Sequence, residues 1–257
     1  MRIISYNTNG IRSAINKGFI EWLETDPADI VCIQESKAQQ ENVDHSKMEA
    51  LGYKNAYWYS AQKKGYSGVA VFSKIKADNV FFGNGYEMSD FEGRVIRLDF
   101  GDITLINAYF PSGTSGDERQ TYKYQWLDEF YVYLSELRKT RPKLIICGDY
   151  NIAHKEVDIH DPKGNKNSSG FLPEERAWMD KFLASGYIDT FRYKNPEAKG
   201  AYSWWSQRFP SVRLNNKGWR IDYFCVTDTL KNNIAEANIY PDVKHSDHCP
   251  IYISLNL

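Results

Sequence analysis

The chain has 257 residues, of which 42% are hydrophobic and 25% are charged, and its formal net charge is −1. These proportions are typical of a globular protein, and the charge argues against a basic protein that coats nucleic acid. No run of about 18 apolar residues occurs, which argues against a membrane-spanning helix and a membrane partner. The first ten residues lack the apolar core of a secretion signal, so we expect a cytoplasmic protein.

Short β-like runs recur along the chain, with helical patterns between some of them. The runs read RIISY, ADIVCIQ, NAYWYSA, GVAVFSK, RVIRLDF, ITLINAYF, KLIICGDY, RIDYFCVT and CPIYISLNL. Apolar residues at helical spacing predict a helix from Gln120 to Lys139, and a second helix is predicted to begin at Pro173 and end before Gly186. No flexible linker separates these elements. We therefore expect one α/β domain, residues 1–257, with two packed mixed sheets flanked by helices.

The cysteines lie within apolar runs and do not form a ligand pattern. Cys32, Cys147 and Cys225 occur in IVCIQ, LIICGD and DYFCVT, and none belongs to a C-x-x-C pair. This placement indicates buried thiols in a reducing compartment, and it argues against a zinc site or a disulfide framework.

Polar side chains follow or precede several predicted strands at the points where the apolar runs stop. They are Asn7, Asn9, Glu35, Tyr109, Asp149, Asn151, Asp247 and His248. If these strand ends lie at one edge of the sheets, their acid, amide, phenol and imidazole groups converge in one pocket. For any single Asn or Asp, a role as a turn former remains the alternative.

Two carboxylates are difficult to explain as turn formers. Glutamate is not a turn residue, yet Glu35 ends the run DIVCIQ, and Asp222 lies inside the run WRIDYF, where a carboxylate needs a partner. We predict that His248 is this partner, because an Asp–His pair fixes the imidazole tautomer and raises its pKa. Glu35 and Asp247 would form a site of oxygen ligands that suits Mg²⁺ better than zinc. A carboxylate-bound Mg²⁺, an Asp–His pair, a phenol and an acid–amide pair together predict attack of water on a phosphodiester.

Nine short motifs occur along the chain in a fixed order: NTNGIR, QESK, GYSGVAVFSK, NAYFPSG, GDYNIAH, DPKGN, SGFLPEER, GWRIDYF and SDHCPI. With these motifs the chain resembles the exonuclease III family of abasic-site DNA endonucleases. That family lies within a wider group of DNase I-like nucleases and inositol-phosphate phosphatases. The resemblance runs from Met1 to Leu257, and QESK with GDYNIAH, DPKGN and WRIDYF is specific to the abasic-site branch. It implies a DNase I-like four-layer sandwich, a monomer, and Mg²⁺-dependent cleavage of duplex DNA 5′ to abasic sites, with Mn²⁺ as a substitute ion. Cleaning of blocked 3′ ends would accompany this activity.

The resemblance also implies how the metal is held. Glu35 would be the main Mg²⁺ ligand, with Asn7 and Asp247 completing the site directly or through water. Lys37 would lie beside this acidic cluster. Asn9 stands where some relatives carry an acid, which reduces the negative charge at the metal.

The remaining site residues would act on water and phosphate. By resemblance, Asp149 would orient and deprotonate the attacking water, and Asn151 would help to hold the water and the phosphate. Both are also candidate metal ligands. Tyr109 would contact the scissile phosphate, and His248, oriented by Asp222, would bind a non-bridging oxygen and stabilise developing charge.

Substrate recognition follows from the same resemblance. An abasic-site enzyme needs a small apolar pocket for a baseless sugar and contacts to bent duplex. Trp204, Trp219 and Ile221 correspond to the pocket wall, although each could be an ordinary core residue. The residues expected near DNA phosphates are Lys63, Lys64, Tyr66 and Asn165. For the lysines alone, an ordinary solvated surface is the alternative.

Two other functions remain open at this level. One is a phosphatase of the same fold acting on inositol phosphates or lipids, which would call for a polybasic or membrane-binding insertion. The other is a DNA-binding module without catalytic activity, which predicts loss of at least one residue of the acid–imidazole set. All of these residues are present.

Overall fold

The computed structural model describes residues 1–209 and 211–257. Its strands are β1 (Arg2–Asn7), β2 (Ile30–Gln34), β3 (Asn55–Tyr59), β4 (Val69–Ser73), β5 (Asn79–Phe82), β6 (Val95–Phe100), β7 (Ile103–Tyr109), β8 (Lys143–Asp149), β9 (Tyr187–Asp189), β10 (Asp222–Thr227), β11 (Ile234–Ile239) and β12 (Ile251–Leu255). Its α-helices are α1 (Ile11–Asn16), α2 (Phe19–Thr25), α3 (Ser46–Ala50), α4 (Glu87–Phe91), α5 (Asp117–Thr140), α6 (Pro173–Ala184), α7 (Thr190–Lys194) and α8 (Ser211–Leu214). Short 3-10 helices cover Gln40–Asn42, Glu156–Asp158 and Asp228–Asn233.

The strands form two six-stranded sheets of mixed direction. Sheet A has the order β11-β12-β1-β2-β4-β3, and sheet B has the order β5-β6-β7-β8-β10-β9. Each sheet contains one parallel pair, β1 with β2 in sheet A and β7 with β8 in sheet B. Since the strands of a parallel pair end at the same edge, the residues that follow them come close together.

The two sheets pack face to face, and their central strands are buried on both faces. In β1, Ile3 faces the core between the sheets, while Ile4 packs with α1 and α2 on the outer side of sheet A. In β8, Ile145 and Ile146 alternate in the same way, with α5 and α6 outside sheet B. Strands that are covered on both faces read as continuous apolar runs. The predicted architecture of two packed mixed sheets flanked by helices is confirmed.

Both helices predicted from the sequence are present. α5 extends the predicted segment by a few residues at its start, and Trp126 on its inner face is fully buried. α6 begins at Pro173, as predicted. Gly186, two residues beyond its last residue, has a φ of +97°, a left-handed conformation that glycine adopts at low cost.

Three strands, β5, β9 and β11, are not indicated by the sequence patterns. Each of them lies at the edge of a sheet. β5 is largely exposed, β9 has only three residues, and β11 pairs with β12 through an irregular register between Ile234 and Glu236. Edge strands are less buried and more often interrupted, so their apolar pattern is weak.

Asp222 belongs to a strand, as the sequence indicated, but it stands at the start of that strand and not in its interior. Asp222 is the first residue of β10, and its register partner is Asp149, the last residue of β8. The preceding residue, Ile221, already lies outside the strand, and its carbonyl accepts from the backbone N–H of Tyr150 at 2.9 Å. Asp222 is therefore at the sheet edge, where its carboxylate can reach the neighbouring loops.

Two expectations from composition can be compared with the structure. All four cysteines are unpaired and buried, as expected for small apolar side chains in a core. Across the described residues, none of the helices combines the length and the apolar character that crossing a membrane requires.

A buried ion-pair network supports the chain that leads into β10. Asp158 accepts from Arg220 Nε at 2.8 Å and from Arg192 Nη2 at 2.5 Å, and Arg220 Nη2 also donates to Asp189 at 2.7 Å. Burial alone would raise the pKa of Asp158, but the two guanidinium groups outweigh it and lower this pKa to about 2. Because Arg220 precedes Ile221 in the chain, the network holds the segment that enters the sheet edge.

We predict that Asp158→Asn lowers the free energy of unfolding by about 2 kcal/mol at neutral pH. A carboxylate with a lowered pKa stabilises the fold above its unfolded-state pKa, and this contribution is lost as the pH falls through its folded-state pKa. The difference between wild type and variant should therefore shrink as the pH falls from about 4 towards about 2. Urea unfolding across this pH range measures it.

Glu136→Gln is the matched control, because its pair with Lys139 lies on the exposed face of α5. Exposed pairs contribute little to stability, so this variant should unfold like the wild type at each pH. A deficit for Asp158→Asn that stays constant into acid would contradict the assignment of a lowered pKa to Asp158.

Candidate active site

The carboxyl ends of the central strands meet at one edge of the sandwich. In sheet A, Asn7 lies opposite Gln34, and in sheet B, Asp149 lies between Tyr109 on one side and Asp222 on the other. A cleft of about 930 Å³ opens at this edge. Its walls contain the predicted site residues Asn9, Glu35, Tyr109, Asp149, Asn151, Trp204, Trp219, Ile221, Asp247 and His248. Asn7 and Asp222 are buried and hydrogen bonded to residues of these walls.

The side-chain amide of Asn7 joins carboxylates that belong to different sheets. Its Nδ2 donates to Glu35 Oε1 at 2.9 Å and to Asp149 Oδ2 at 2.8 Å. Its Oδ1 accepts from the backbone N–H of Asn9 at 2.9 Å, which fixes the orientation of the amide. A neutral donor therefore holds the two carboxylates close together.

A chain of polar contacts links Glu35 to Asp247. Lys37 Nζ lies 2.7 Å from Glu35 Oε2 and also donates to the side-chain oxygen of Asn9. Asn9 Nδ2 in turn donates to Asp247 Oδ1 at 3.0 Å. Burial alone would raise the pKa of Asp247, but His248 and the surrounding donors lower it. Asp247 therefore remains ionised within this chain of contacts.

Four non-glycine residues of the site adopt left-handed backbone conformations. The φ angles are +46° for Asn9, +48° for Glu35, +48° for Lys37 and +52° for Asn151. Such conformations are uncommon for residues with a side chain and indicate local strain at a site that the surrounding structure stabilises. Gly10 provides part of this support, since its backbone N–H donates to the carbonyl of Glu35 at 2.8 Å.

Asn151 is held from three directions. Its backbone N–H donates to Asp149 Oδ1 at 2.8 Å, and its Nδ2 donates to the carbonyl of Phe110 at 3.0 Å. Its carbonyl accepts from the fully buried ammonium group of Lys123 at 2.8 Å. Lys123 also pairs with buried Glu175 at 2.5 Å. The turn that follows β8 is therefore fixed by an ion pair between α5 and α6.

Asp222 and His248 form the predicted pair. His248 Nδ1 lies 2.9 Å from Asp222 Oδ2, so the carboxylate orients the ring and favours a proton on Nδ1. The other ring nitrogen, Nε2, lies 3.8 Å from Asp149 Oδ2. The hydroxyl of Ser203 donates to Asp222 Oδ2 at 2.6 Å and accepts from the backbone N–H of Asp222 at 3.1 Å. His248 thus lies between two carboxylates, one fixed behind it and one facing the cleft.

The pKa values of both facing groups are raised, for different reasons. Burial raises the pKa of Asp149 to about 7; His248 opposes this rise, and the carboxylates of Asp222 and Glu35 add to it. Burial alone would lower the pKa of His248, but Asp222 and Asp149 outweigh it and raise this pKa to about 10. Near neutral pH the imidazole therefore holds its proton, while Asp149 can accept one.

Tyr109 enters the cleft with a fixed ring and a neutral phenol. The Arg94 guanidinium lies 4.7 Å from the centre of this ring, and its Nη1 donates to the Tyr109 carbonyl at 2.8 Å. Burial raises the pKa of the Tyr109 phenol well above its ordinary value, and Glu35 adds to the rise. The phenol can therefore donate a hydrogen bond into the cleft.

The donor groups fit a hard divalent cation. Ligand atoms of Glu35, Asp149 and His248 lie within 4.8 Å of one another, and Asp247 lies outside this group. Carboxylate and amide oxygens suit Mg²⁺ or Mn²⁺, whereas structural zinc prefers several thiolates or imidazoles. The acidic cluster could therefore hold a metal ion.

An apolar wall borders the acidic group. Trp204 and Trp219 meet edge to face, with ring centres 5.9 Å apart and an angle of 85° between the rings. Ile221 packs with both, together with Ile159 and Phe171. The wall places a rigid aromatic surface directly beside the carboxylates.

The four residues expected near DNA phosphates lie outside the cleft lining formed by the described residues. Lys63 and Lys64 are exposed, and the Lys63 ammonium lies 5.5 Å from the centre of the Tyr66 ring. The Tyr66 hydroxyl donates to Glu92 at 3.3 Å. Asn165 turns back on its own loop, where its amide donates to the carbonyl of Asp161 at 3.0 Å. The same loop instead brings Asn167, Ser168 and Ser169 to the cleft.

Several supporting residues of the site are not indicated by the sequence. Ser203 and Lys123 belong to no recognisable motif, and their partners lie far away along the chain. Arg94 directly precedes β6, where a charged residue before a strand is unremarkable. For Lys123 the sequence offers one weak signal. It falls on the apolar face of the predicted helix, where a charged residue must be buried and therefore needs a partner.

Comparison with known proteins places the chain in a family. It matches the endonuclease/exonuclease/phosphatase family over residues 4–248. An exodeoxyribonuclease of Bacillus subtilis (strain 168) is 44% identical over 100% of both chains. A DNA-(apurinic or apyrimidinic site) endonuclease of Dictyostelium discoideum is 40% identical over 100% of this chain and 71% of its own.

Solved structures agree with this placement. An AP endonuclease from Archaeoglobus fulgidus superposes with a TM-score of 0.89 at 30% identity, covering 100% of both chains. The 3′ phosphatase NExo from Neisseria, bound to a product DNA hairpin, superposes with a TM-score of 0.91 at 25% identity, again covering 100% of both chains.

The chain therefore belongs to the endonuclease/exonuclease/phosphatase family, and it is an enzyme that hydrolyses phosphodiester bonds. Within that family, its relatives confirm the resemblance to the exonuclease III branch and the DNase I-like fold.

We predict that His248 stays protonated well above neutral pH in the metal-free protein, and that Asp222→Asn lowers its pKa. The variant removes the carboxylate that contributes most to raising this pKa. Titration of the imidazole signals by NMR measures both values. His154, which lies against Asp180 on another face, is the internal reference and should titrate alike in both proteins. Equal His248 titration in both proteins would remove Asp222 as the cause.

Proposed function

We propose that this protein is a Mg²⁺-dependent DNA repair endonuclease. It cleaves the phosphodiester bond 5′ to an abasic site and leaves a 3′-hydroxyl and a 5′-deoxyribose phosphate. The observation that carries the proposal is a single cleft in which Asp149 and His248 lie beside the aromatic wall of Trp204 and Trp219. Relatives named as abasic-site endonucleases support the choice of substrate.

In the proposed reaction, Asp149 holds a water molecule and takes its proton as the water oxygen bonds to phosphorus. Asn151 orients Asp149 through the hydrogen bond from its backbone N–H. His248 donates from Nε2 to a non-bridging phosphate oxygen, and the Tyr109 phenol donates to the same phosphate. The bond between phosphorus and the 3′ oxygen breaks, and that oxygen takes a proton from solvent to become the 3′-hydroxyl.

Glu35 would be the main ligand of the Mg²⁺ ion, with Asn7 and Asp247 completing the site directly or through water, and Asp149 and Asn151 are further candidate ligands. When bound, such an ion neutralises phosphate oxygens and stabilises the negative charge that develops on them. Mn²⁺, which also prefers oxygen ligands, would substitute for it. Lys37 fixes the position of the Glu35 carboxylate, and Asn9 fixes that of Asp247.

The apolar wall would select the substrate. A sugar without a base can enter a pocket bounded by Trp204, Trp219 and Ile221, whereas a normal nucleotide must fit its base into the same space. We propose that the outer contacts to duplex phosphates come from Lys63, Lys64, Tyr66 and Asn165.

Cleaning of blocked 3′ ends would use the same groups. Removing a phosphate or a nucleotide from a 3′ terminus requires the same attack of water on phosphorus. The similarity to a 3′ phosphatase bound to a DNA hairpin and to an exodeoxyribonuclease supports this second activity. We also propose that residues 1–257 act as one catalytic domain, because both sheets contribute to one cleft. A monomer in the cytoplasm is proposed from the family resemblance alone.

The decisive experiment uses a labelled duplex with one stable abasic-site analogue. Wild type with Mg²⁺ should make a single cut 5′ to the analogue, EDTA should abolish the cut, and His248→Ala should reduce it strongly. His45→Ala is a matched control, because this imidazole packs against Trp58 and Phe72 and takes no part in the cleft.

Other outcomes point elsewhere. In one of them, the protein leaves the duplex intact with both Mg²⁺ and Mn²⁺ and releases phosphate efficiently from an inositol phosphate. That result would show that it is a phosphatase of this fold and not a DNA endonuclease. Tight binding of the abasic duplex without any cleavage would favour a non-catalytic DNA-binding module.

We predict that Asp149→Asn lowers turnover by orders of magnitude and leaves duplex binding almost unchanged. The substitution removes the proton acceptor while keeping a side chain of the same size. Single-turnover cleavage and fluorescence anisotropy separate the two effects. If binding and turnover fall together, Asp149 belongs to the contacts that hold DNA.

We predict that Glu35→Ala raises the Mg²⁺ concentration needed for half-maximal cleavage, because a carboxylate ligand is lost. Glu21→Ala is the control, since that exposed carboxylate pairs with Lys47 on the outer helices. An unchanged Mg²⁺ dependence in Glu35→Ala would exclude Glu35 as a ligand.

A further inference from the structure

The segment Ser203–Trp205 lies between the aromatic wall and the turn that carries Asp247. Trp204 pairs with Trp219 through two backbone hydrogen bonds of 2.9 Å. On the other side, the backbone N–H of Trp205 donates to the Asp247 carbonyl at 3.0 Å, and that of Cys249 donates to the Ser203 carbonyl at 2.8 Å. The backbone of Trp204 is therefore fixed on both sides.

The indole of Trp204 contacts both the apolar and the acidic parts of the cleft. Its ring meets Trp219 edge to face, while its Nε1 donates to Asp247 Oδ2 at 3.1 Å. The other carboxylate oxygen, Oδ1, accepts from Asn9 Nδ2 and from the Ser246 hydroxyl, each at 3.0 Å. Three donors on two oxygens restrict rotation of the carboxylate, and one of them belongs to the substrate wall.

We propose that Trp204 is a positioning residue for Asp247, so that the wall of the substrate pocket and the acidic site are mechanically linked. The inference rests on the proposed function for what Asp247 does, but the link itself is a property of the side chains. A hydrogen bond to a carboxylate near a metal orients it, and removing such outer contacts weakens metal binding. Movement of the Trp204 ring would therefore be transmitted to Asp247.

Trp219 offers a matched comparison on the same wall. Its ring contributes to the same apolar cluster, but among the described residues its indole N–H donates to no side chain or carbonyl. The two tryptophans thus share the apolar contribution and differ in the hydrogen bond.

The test compares Trp204→Phe with Trp219→Phe, because each keeps an aromatic ring and removes an indole N–H. Calorimetric binding of Mn²⁺ to the DNA-free protein should weaken by about tenfold in Trp204→Phe and remain unchanged in Trp219→Phe. With the abasic duplex, kcat of Trp204→Phe should fall while KM stays near the wild-type value. Trp204→Ala, which loses ring and donor, should show the weaker Mn²⁺ binding and also a raised KM.

Urea unfolding of each variant distinguishes a local effect from a loss of fold, since Trp204→Phe should unfold at the wild-type midpoint. Unchanged Mn²⁺ affinity in Trp204→Phe would overturn the inference even if the wild type cleaves abasic duplex. If the wild type leaves abasic duplex intact, the proposed function fails, while a selective loss of Mn²⁺ affinity in Trp204→Phe would still support the link to Asp247.

Discussion

The amide of Asn7 is the contact on which the arrangement of the site depends. Neighbouring carboxylates repel each other, so the half-buried Glu35 and the buried Asp149 can lie close together only when donors or cations separate them. Asn7 provides the donor from the end of a central strand, at the line where the two sheets meet. On the neighbouring strand, Gln34, the register partner of Asn7, donates from Nε2 to Asn107 Oδ1 at 2.7 Å, and this hydrogen bond also joins the two sheets. Apolar packing alone would allow the sheets to slide, whereas these directed contacts fix their register at this edge.

The same closeness determines the charge of the site. The cleft gathers more carboxylates than cations: Glu35, Asp149, Asp222 and Asp247 face Lys37 and His248. Burial and the neighbouring carboxylates together raise the pKa of Asp149 to about 7, so this residue keeps its proton up to near neutral pH. A group that binds a proton near neutrality in this way is suited to take one from water. Its neighbour His248 is suited to donate, because Asp222 stabilises the imidazolium. Both pKa values are therefore raised, that of Asp149 mainly by burial and that of His248 by the carboxylates of Asp222 and Asp149, so near neutral pH one group can accept a proton while its neighbour keeps one.

Much of the fold could be predicted from the sequence, and the gaps have a common physical cause. Strands buried on both faces leave continuous apolar runs, and all of these were indicated; the three missed strands are edges, where one side of the ladder has no partner. The polar residues at strand ends could be predicted to converge, because parallel pairing brings such ends to one edge. Ser203 and Lys123 could not, since nothing local marks a partner distant in sequence. The proposed contacts of Lys63 and Asn165 with DNA stay predictions, as both lie outside the cleft lining.

The left-handed residues show what the rigid frame makes possible. Glycine would adopt the conformations of Glu35 and Asn151 without strain, but it would supply neither a carboxylate nor an amide. Each such residue costs of the order of 1 kcal/mol, a strain that persists only where the surroundings determine the conformation. The surroundings here are the paired strands on either side and, for Asn151, the buried ammonium of Lys123. The reactive side chains lie at strand ends and in the turns beside them, and several of their supporting contacts are buried. The strain at this edge can therefore persist because the sandwich beneath it is stable.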